Sequence, residues 1–344
     1  MSLLFKNKVK IAVLGAGSWG TTIAIHLHKL GHEIKLWEYY QENVDLMNKT
    51  RKNPLLPGIP ITKEIIISNK LKEVVKDAGL ICLVVPSHTM RNMLEKLVGF
   101  VDENVVFVSL TKGIEEDSLM RMSEVIHDVL KHPNEKIVAL YGPSHAEEAS
   151  REVPTAIVAA SKEMETAKYI QKLFMNNYLR VYTNTDIIGV EIGGSIKNVI
   201  AIASGICDGM GLGDNSKAAL ITRGLIEITR MGLILGAKEE TFSGLSGVGD
   251  LIVTCGSKHS RNRYVGNEIG KGRKLQEVLD GMSMIAEGVH TAHTVYQLIE
   301  KHEVLMPISE QIFKVLFKNK NPRKALNDLM ARDAVDERHS LPND

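Results

Sequence analysis

Residues Lys10–Leu14 form a short apolar run that passes without a spacer into Gly15-Ala16-Gly17-Ser18-Trp19-Gly20, and a helical pattern, Thr21–Leu30, begins at once and stops at Gly31. A strand that enters a helix through three glycines at this spacing predicts a dinucleotide-binding turn. Gly15 allows the tight turn, Gly17 lets the backbone approach a pyrophosphate, and Gly20 allows close helix–sheet packing, while the helix start supplies free N–H groups and a positive dipole. The next strand ends at Trp37-Glu38-Tyr39, with Glu38 18 residues after Gly20, where an acid can hydrogen-bond an adenosine ribose. No basic residue follows in Tyr39–Asn43 to neutralise a 2′-phosphate, so the pattern favours NAD over NADP. Tyr39 reads either as a platform for adenine or as a half-exposed aromatic at a strand end.

Eight short strand candidates follow the same alternation: Lys10–Leu14, Glu33–Trp37, Ile65–Ser68, Leu80–Val85, Val105–Leu110, Ile137–Tyr141, Thr155–Ala159 and Leu179–Tyr182. Most precede a helical pattern, which predicts an α/β, Rossmann-type doubly wound sheet that is mostly parallel. Asn53–Thr62, with three prolines, reads as a surface loop. After Asp186 the strand signals stop. The remainder reads as helices at Ile187–Asp208, Ser216–Leu235, near Ser246–Cys255, Ser260–Lys271, Gly288–His302, Ile308–Phe317 and Pro322–Arg332, with a frayed charged tail, Asp333–Asp344. The expected organisation is a dinucleotide-binding domain over 1–186 and an all-α domain over 187–344.

Composition excludes several classes. The 344 residues suffice for about two domains, and 44% hydrophobic against 24% charged residues is globular rather than disordered. Lys plus Arg number 42 against 41 Asp plus Glu, so no net field draws the chain to nucleic acid or an anionic membrane. Cys82, Cys207 and Cys255 are odd in number and widely spaced, which indicates neither a disulfide framework nor a metal cluster and fits a reducing cytoplasm. No uninterrupted apolar run approaches the roughly 18 residues of a membrane span. The start of the chain reaches Lys6, Lys8 and Lys10 without a signal-peptide core.

Ligands of doubly wound sheets lie beyond the carboxyl ends of the strands, where Pro86-Ser87-His88, Thr111-Lys112-Gly113 and Gly142-Pro143-Ser144-His145-Ala146 fall. Lys112 offers a point charge for a phosphate or a reacting oxygen, whereas His88 and His145 read as caps or solvated side chains. In Ile187–Asp208, an apolar stripe of Ile192, Ile196, Val199, Ala203 and Ile206 marks the core face. The opposite face, Val190, Gly193, Gly194, Lys197, Ala201 and Ser204, sets one lysine among small residues, which predicts a close approach. A neighbouring helix is the structural explanation, but it would leave the lysine an unpaired buried charge, so a ligand-facing acid/base is favoured. Asn198 can orient a substrate hydroxyl or Lys197. Asp250, behind three glycines, reads as a partner of Lys197 and of a substrate hydroxyl or as a helix cap. Arg261 and Asn262 at a helix start read as a phosphate site or as part of a solvated basic loop.

The combination of Gly15-Ala16-Gly17-Ser18-Trp19-Gly20, Thr111-Lys112-Gly113, Gly142-Pro143-Ser144, Lys197-Asn198-Val199-Ile200-Ala201, Gly249-Asp250-Leu251, Ser260-Arg261-Asn262 and Glu287-Gly288 resembles the NAD(P)-dependent glycerol-3-phosphate dehydrogenases across nearly the whole chain. The resemblance implies a Rossmann-type cofactor domain, a helical substrate domain and reversible hydride transfer between NAD(P)H and dihydroxyacetone phosphate, feeding glycerophospholipid synthesis. It assigns proton exchange to Lys197 and places Lys112 and Asp250 beside the reacting carbon. The substrate phosphate falls to Ser260, Arg261 and Asn262, with Gly142 and Ser144 also touching substrate. The cofactor set is Gly15, Gly17, Ser18, Trp19, Gly20, Glu38, Tyr39, Lys112, Ala146, Arg261, Ile285 and Glu287. Tyr39 stands where bacterial members often carry Arg or His, and His145 where they carry Phe.

The expected mechanism is a ternary complex in a cleft between the domains, with no metal, in which Lys197 protonates the alkoxide that hydride addition creates. A hydroxyacid or 6-phosphogluconate-type dehydrogenase shares the architecture and a helical lysine but takes a carboxylate substrate. A non-catalytic NAD sensor has no need of Lys112, Lys197, Asp250 and Arg261 together. The apolar helical domain is compatible with a homodimer.

Overall fold

The computed structural model describes residues 8–282 and 284–337. Lys6 and residues 338–344 of the expected frayed tail lie outside them, and Asp333–Glu337 are exposed without helix or strand. The chain forms two compact units: Met1–Thr111 with Met122–Ile187, and Lys112–Arg121 with Ile188–Asp344.

The first unit is built on an eight-stranded sheet: β1 (Lys10–Leu14), β2 (Glu33–Trp37), β3 (Ile66–Ser68), β4 (Leu80–Leu83), β5 (Val106–Ser109), β6 (Ile137–Tyr141), β7 (Thr155–Ala160) and β8 (Leu179–Asn184). The spatial order is β3-β2-β1-β4-β5-β6-β7-β8. All neighbours are parallel except β6 and β7, which pair antiparallel. Between Tyr141 and Thr155 there is only the one-turn helix Ala146–Ala149, too little for a crossover, so the chain doubles back. In β1, Ile11, Ala12, Val13 and Leu14 are all buried, as expected of a strand covered on both faces.

The expected surface loop is more closely tied down than its prolines suggest. It contains no strand or helix, yet Asn53, Leu56 and Ile61 are buried. The Asn53 amide donates to the Ala16 carbonyl at 2.8 Å and to the Thr21 hydroxyl at 2.7 Å, and its oxygen accepts the Leu55 N–H at 2.9 Å. Asn53 therefore fastens the loop to the glycine turn.

The second unit contains the expected helices, as Ile187–Gly209, Asp214–Ile234, Asp250–Gly256, Arg261–Gly270, Glu287–His302, Pro307–Phe317 and Pro322–Met330. Two short ones, Glu239–Phe242 and Leu275–Asp280, escape a reading based on periodicity because neither completes two turns. The helix Ile187–Gly209 is long and apolar enough on average to cross a membrane although no uninterrupted run is. Its most apolar 18-residue window is 94% buried in the protein, as befits a core helix.

One segment moves relative to the sequence expectation. Lys112–Arg121, expected in the first domain, packs with the helices, because Ile114 enters their apolar core and both end residues form ion pairs there.

Within the sheet unit, His26 is buried, its Nε2–H donating to the Phe174 carbonyl at 2.7 Å and its Nδ1 accepting from the Tyr178 hydroxyl at 3.1 Å. Burial lowers its pKa from 6.5 to about 4. The unfolded chain takes up this proton near pH 6.5 and the folded chain does not, so stability is lost as pH falls from about 6.5 toward 4, by on the order of 3 kcal/mol. Urea unfolding of the native chain and of His26→Gln, each at pH 7 and pH 4.5, should isolate this loss. The native chain should lose about 3 kcal/mol more than the variant between the two pH values, because the contributions of Glu227, His32 and His132 are common to both. An equal loss in the variant would exclude His26 as its source.

Candidate active site

The glycine turn takes the form its spacing predicts. Gly15, at φ +112°, would bring a Cβ to 2.6 Å from the Val84 carbonyl oxygen, and a Cβ on Gly20 would lie 1.8 Å from the Gly15 oxygen. Both glycines are thus required by the protein's own packing. Gly17 differs: its backbone is extended, at φ −67° and ψ −177°, and a Cβ there would meet nothing within 4 Å. It needs neither special dihedrals nor room for a protein neighbour, and the open space lies at the start of the helix Ser18–Lys29, whose first amides carry partial positive charge. A dinucleotide pyrophosphate fits this cradle. Ser18 is the first residue of that helix and is buried, and Trp19 packs partly against the core.

At the end of β2, one Glu38 oxygen accepts the Tyr40 N–H at 3.1 Å and the Asn43 amide at 3.2 Å, which holds the carboxylate against its own turn. Tyr39 is 60% exposed, with the Trp37 and Tyr40 rings roughly perpendicular to its own at centroid distances of 6.0 and 5.0 Å. Lys96 Nζ lies 5.6 Å from the Tyr39 ring centre, a cation that the Tyr39–Asn43 stretch does not reveal. Beyond β6, Gly142 adopts φ +139°, the Ser144 hydroxyl donates to its carbonyl at 3.0 Å, and His145 precedes the helix that Ala146 begins.

In the second unit, three of the residues singled out from sequence come together. Lys197 on the helix Ile187–Gly209 is buried and forms an ion pair with Asp250, the first residue of the helix Asp250–Gly256. The other Asp250 oxygen is 2.6 Å from Lys112 Nζ. Asp250 is thus a shared counter-ion of two lysines, which goes beyond a helix cap. Lys197 also donates to the Thr254 hydroxyl at 2.6 Å, and that hydroxyl donates to the Asp250 carbonyl at 2.6 Å. The sequence reading missed Thr254, although its i, i+4 spacing from Asp250 on one helix was a usable signal.

The small-residue face of the Lys197 helix meets another part of the chain at Gly193. A Cβ on Gly193 would lie 2.8 Å from the Ser246 carbonyl oxygen, so the close approach comes from the glycine-rich Leu245–Gly249 turn. That turn delivers Asp250 to Lys197. Burial lowers the Lys197 pKa to about 7 against the pull of Asp250, with Lys112 adding to the decrease.

A second cluster joins the remaining residues. The Asn262 amide donates to Asn198 Oδ1 at 2.9 Å and its oxygen accepts the Gly288 N–H at 2.9 Å, which ties three helices together. The Asn262 side chain is therefore spent largely on structure. Ser260 caps the helix Arg261–Gly270 by accepting the Arg263 N–H at 3.2 Å. Arg261 donates to the Ile285 carbonyl at 2.8 Å, two residues before Glu287 opens its helix, so these residues gather at one place.

A dinucleotide-binding sheet unit followed by a helical unit with a buried lysine–carboxylate cluster defines the two-domain dehydrogenase class. The family profile described as NAD-dependent glycerol-3-phosphate dehydrogenase N-terminus matches residues 10–167, and its C-terminus counterpart matches residues 186–327. The chain is 49% identical over 333 residues to glycerol-3-phosphate dehydrogenase (NAD(P)+) of Thermoanaerobacter sp. (strain X514), covering 97% of this chain and 100% of that one. It is 48% identical over 336 residues to the enzyme of the same name from Bacillus subtilis (strain 168), covering 97% of each. The crystal structure of glycerol-3-phosphate dehydrogenase from Coxiella burnetii superposes with a TM-score of 0.91 at 36% identity, over 94% of this chain and 99% of that one. The chain belongs to the NAD-dependent glycerol-3-phosphate dehydrogenase family.

Because Gly17 is free of protein neighbours, Gly17→Val should leave the melting temperature close to that of the native chain while weakening NADH binding by roughly tenfold or more. Fluorescence titration with NADH, read beside a thermal melt, checks this. Undiminished binding would show that the open side of the turn is not the pyrophosphate cradle.

Proposed function

We propose that this chain catalyses the reversible NAD(P)H-dependent reduction of dihydroxyacetone phosphate to sn-glycerol 3-phosphate, with Lys197 as the proton donor in that direction. The buried Lys112–Asp250–Lys197 cluster, in a chain of this family, carries the reading. With both lysines protonated, two ammonium groups and one carboxylate leave one positive charge, which favours an anionic substrate and the alkoxide that forms on its C2 oxygen.

The nicotinamide supplies the hydride that the ketone carbon gains. Lys197 gives a proton from Nζ to the carbonyl oxygen as that oxygen becomes an alkoxide, and in the reverse direction neutral Lys197 accepts it. Asp250 holds both lysines in place, Lys112 adds positive potential, and Asn198 orients the substrate hydroxyl. Arg261, with the N–H groups at its helix start, takes the phosphate, and Ser260 fixes that start. Following the family resemblance, Gly142 and Ser144 contact substrate, and Ser18, Trp19, Tyr39, Ala146, Ile285 and Glu287 contact cofactor. Glu38 favours NADH, and Lys96 beside Tyr39 supports acceptance of NADPH as well. We read the enzyme as a cytoplasmic homodimer supplying glycerol phosphate for phospholipids. Three free cysteines and the apolar helical unit support that reading.

Mixing the protein with dihydroxyacetone phosphate and NADH, then NADPH, should give phosphate-dependent loss of absorbance, faster with NADH. Unphosphorylated dihydroxyacetone serves as the control, and a carboxylate-bearing ketone reduced in its place would redirect the reading to the hydroxyacid dehydrogenases. Lys197→Ala should lower kcat by at least about a hundredfold with NADH affinity retained. Since Lys197 must be charged to donate, reduction should slow as pH rises through about 7, whereas oxidation of glycerol 3-phosphate should quicken over the same range. Matching pH profiles in both directions would remove Lys197 from the proton step.

A further inference from the structure

The segment Lys112–Arg121 leaves the sheet unit after Thr111 and returns to it at Met122. It is closed as a clip: Ile114 and Arg121 form an antiparallel bridge, and the Glu115 N–H donates to the Met120 carbonyl at 2.9 Å. Three contacts fasten it to the helices. Lys112 reaches Asp250 at 2.6 Å, Ile114 is buried in the apolar core, and at the far end Arg121, 8% exposed, forms an ion pair with Glu191, which is 0% exposed. The half-exposed Glu116 carboxylate lies 2.8 Å from His293 Nδ1 without forming a hydrogen bond to it.

Glu191 stands six residues before Lys197 on the same helix. One rigid element therefore carries the proton donor and also grips the segment that carries Lys112. A buried ion pair is a poor source of stability, because apolar residues of similar volume often do as well or better in its place. What it offers in return is a defined geometry at a defined point of the helix.

We propose that the Arg121–Glu191 pair is a positioning device for the reaction, locking the clip to the Lys197 helix so that the Lys112 ammonium stays against Asp250. The proposal rests on the reading of Lys197 as proton donor. Lys197 is faced by Asp250, Lys112, Thr254 and Cys255; Asp250 favours its charged form, while burial and Lys112 oppose it. If the clip loosens, Lys112 draws away, one like charge is lost, and Lys197 keeps its proton to higher pH.

The test uses the full chain with Glu191→Gln and Arg121→Lys, and with Glu116→Gln as a control on the same clip. Expected in the first two are an alkaline shift of the pH at which dihydroxyacetone phosphate reduction is half lost, by about half a unit or more, and a drop in kcat of roughly tenfold or more, with NADH affinity unchanged. Glu116→Gln should keep the native profile. Should Glu191→Gln fail to fold, Arg121→Lys, which retains a cation, decides alone. A native pH profile in a folded Arg121→Lys or Glu191→Gln, or the same shift in Glu116→Gln, overturns the proposal. If instead the unaltered chain does not reduce dihydroxyacetone phosphate, or Lys197→Ala retains turnover, it is the functional reading that fails.

Discussion

The interaction on which the rest of the second unit depends is the enclosure of the Lys197 ammonium beside Asp250. A lysine taken out of water without a counter-ion is too costly to keep charged, and one paired too well never releases its proton. Here the Asp250 carboxylate is divided between Lys197 and Lys112, with the Thr254 hydroxyl as a further acceptor for Lys197. Burial outweighs the attraction of Asp250, and the balance places Lys197 near pH 7. The long apolar helix Ile187–Gly209 buries that group, and Gly193 lets the Leu245–Gly249 turn come close enough to deliver Asp250.

In the sheet unit the corresponding constraint is steric, at the start of the helix Ser18–Lys29. Gly15 and Gly20 are consumed by contacts within the turn, and those contacts fix Gly17 and the first amides of the helix with an open side. Asn53 bonds both the Ala16 carbonyl and the Thr21 hydroxyl and so pins the turn from the protein side. Charge at the end of β2 is arranged by the same means: Glu38 is held by its own turn, and Lys96 reaches Tyr39 from a later helix end.

Much of this was legible in the chain. Each of β1 to β8 lies where a short run had marked it: β4, β5 and β6 are buried throughout and accordingly almost wholly apolar, while β3 and β8 are exposed in part and are marked by β-branched and aromatic residues. The turn was legible from its three glycines at fixed spacing, of which Gly15 and Gly20 answer steric demands of the protein itself while Gly17 keeps an open side. The small face around Lys197 was visible, but its partner was misjudged: it is a turn of the chain some fifty residues on, and helical periodicity says nothing about what packs on a face. Asn53 fell in a segment whose prolines marked it as a surface loop, and its buried amide bonds to Ala16 and Thr21 were not visible because they are long-range. Arg121 and Glu191 carried no signal at all, being two ordinary charges 70 residues apart.

By itself, then, the sequence determined the two kinds of architecture, the dinucleotide turn, the lysine on its helix and the resemblance that its motifs carry. All of these are encoded locally, in periodicity, in glycine spacing and in short runs of residues. Tertiary structure alone decided that Asp250 is shared by two lysines, that Asn262 is spent on Asn198 and Gly288, and that Lys112–Arg121 belongs with the helices. Those outcomes follow from distances between segments far apart in the chain, and a buried charge takes its proton affinity from whatever the fold sets beside it.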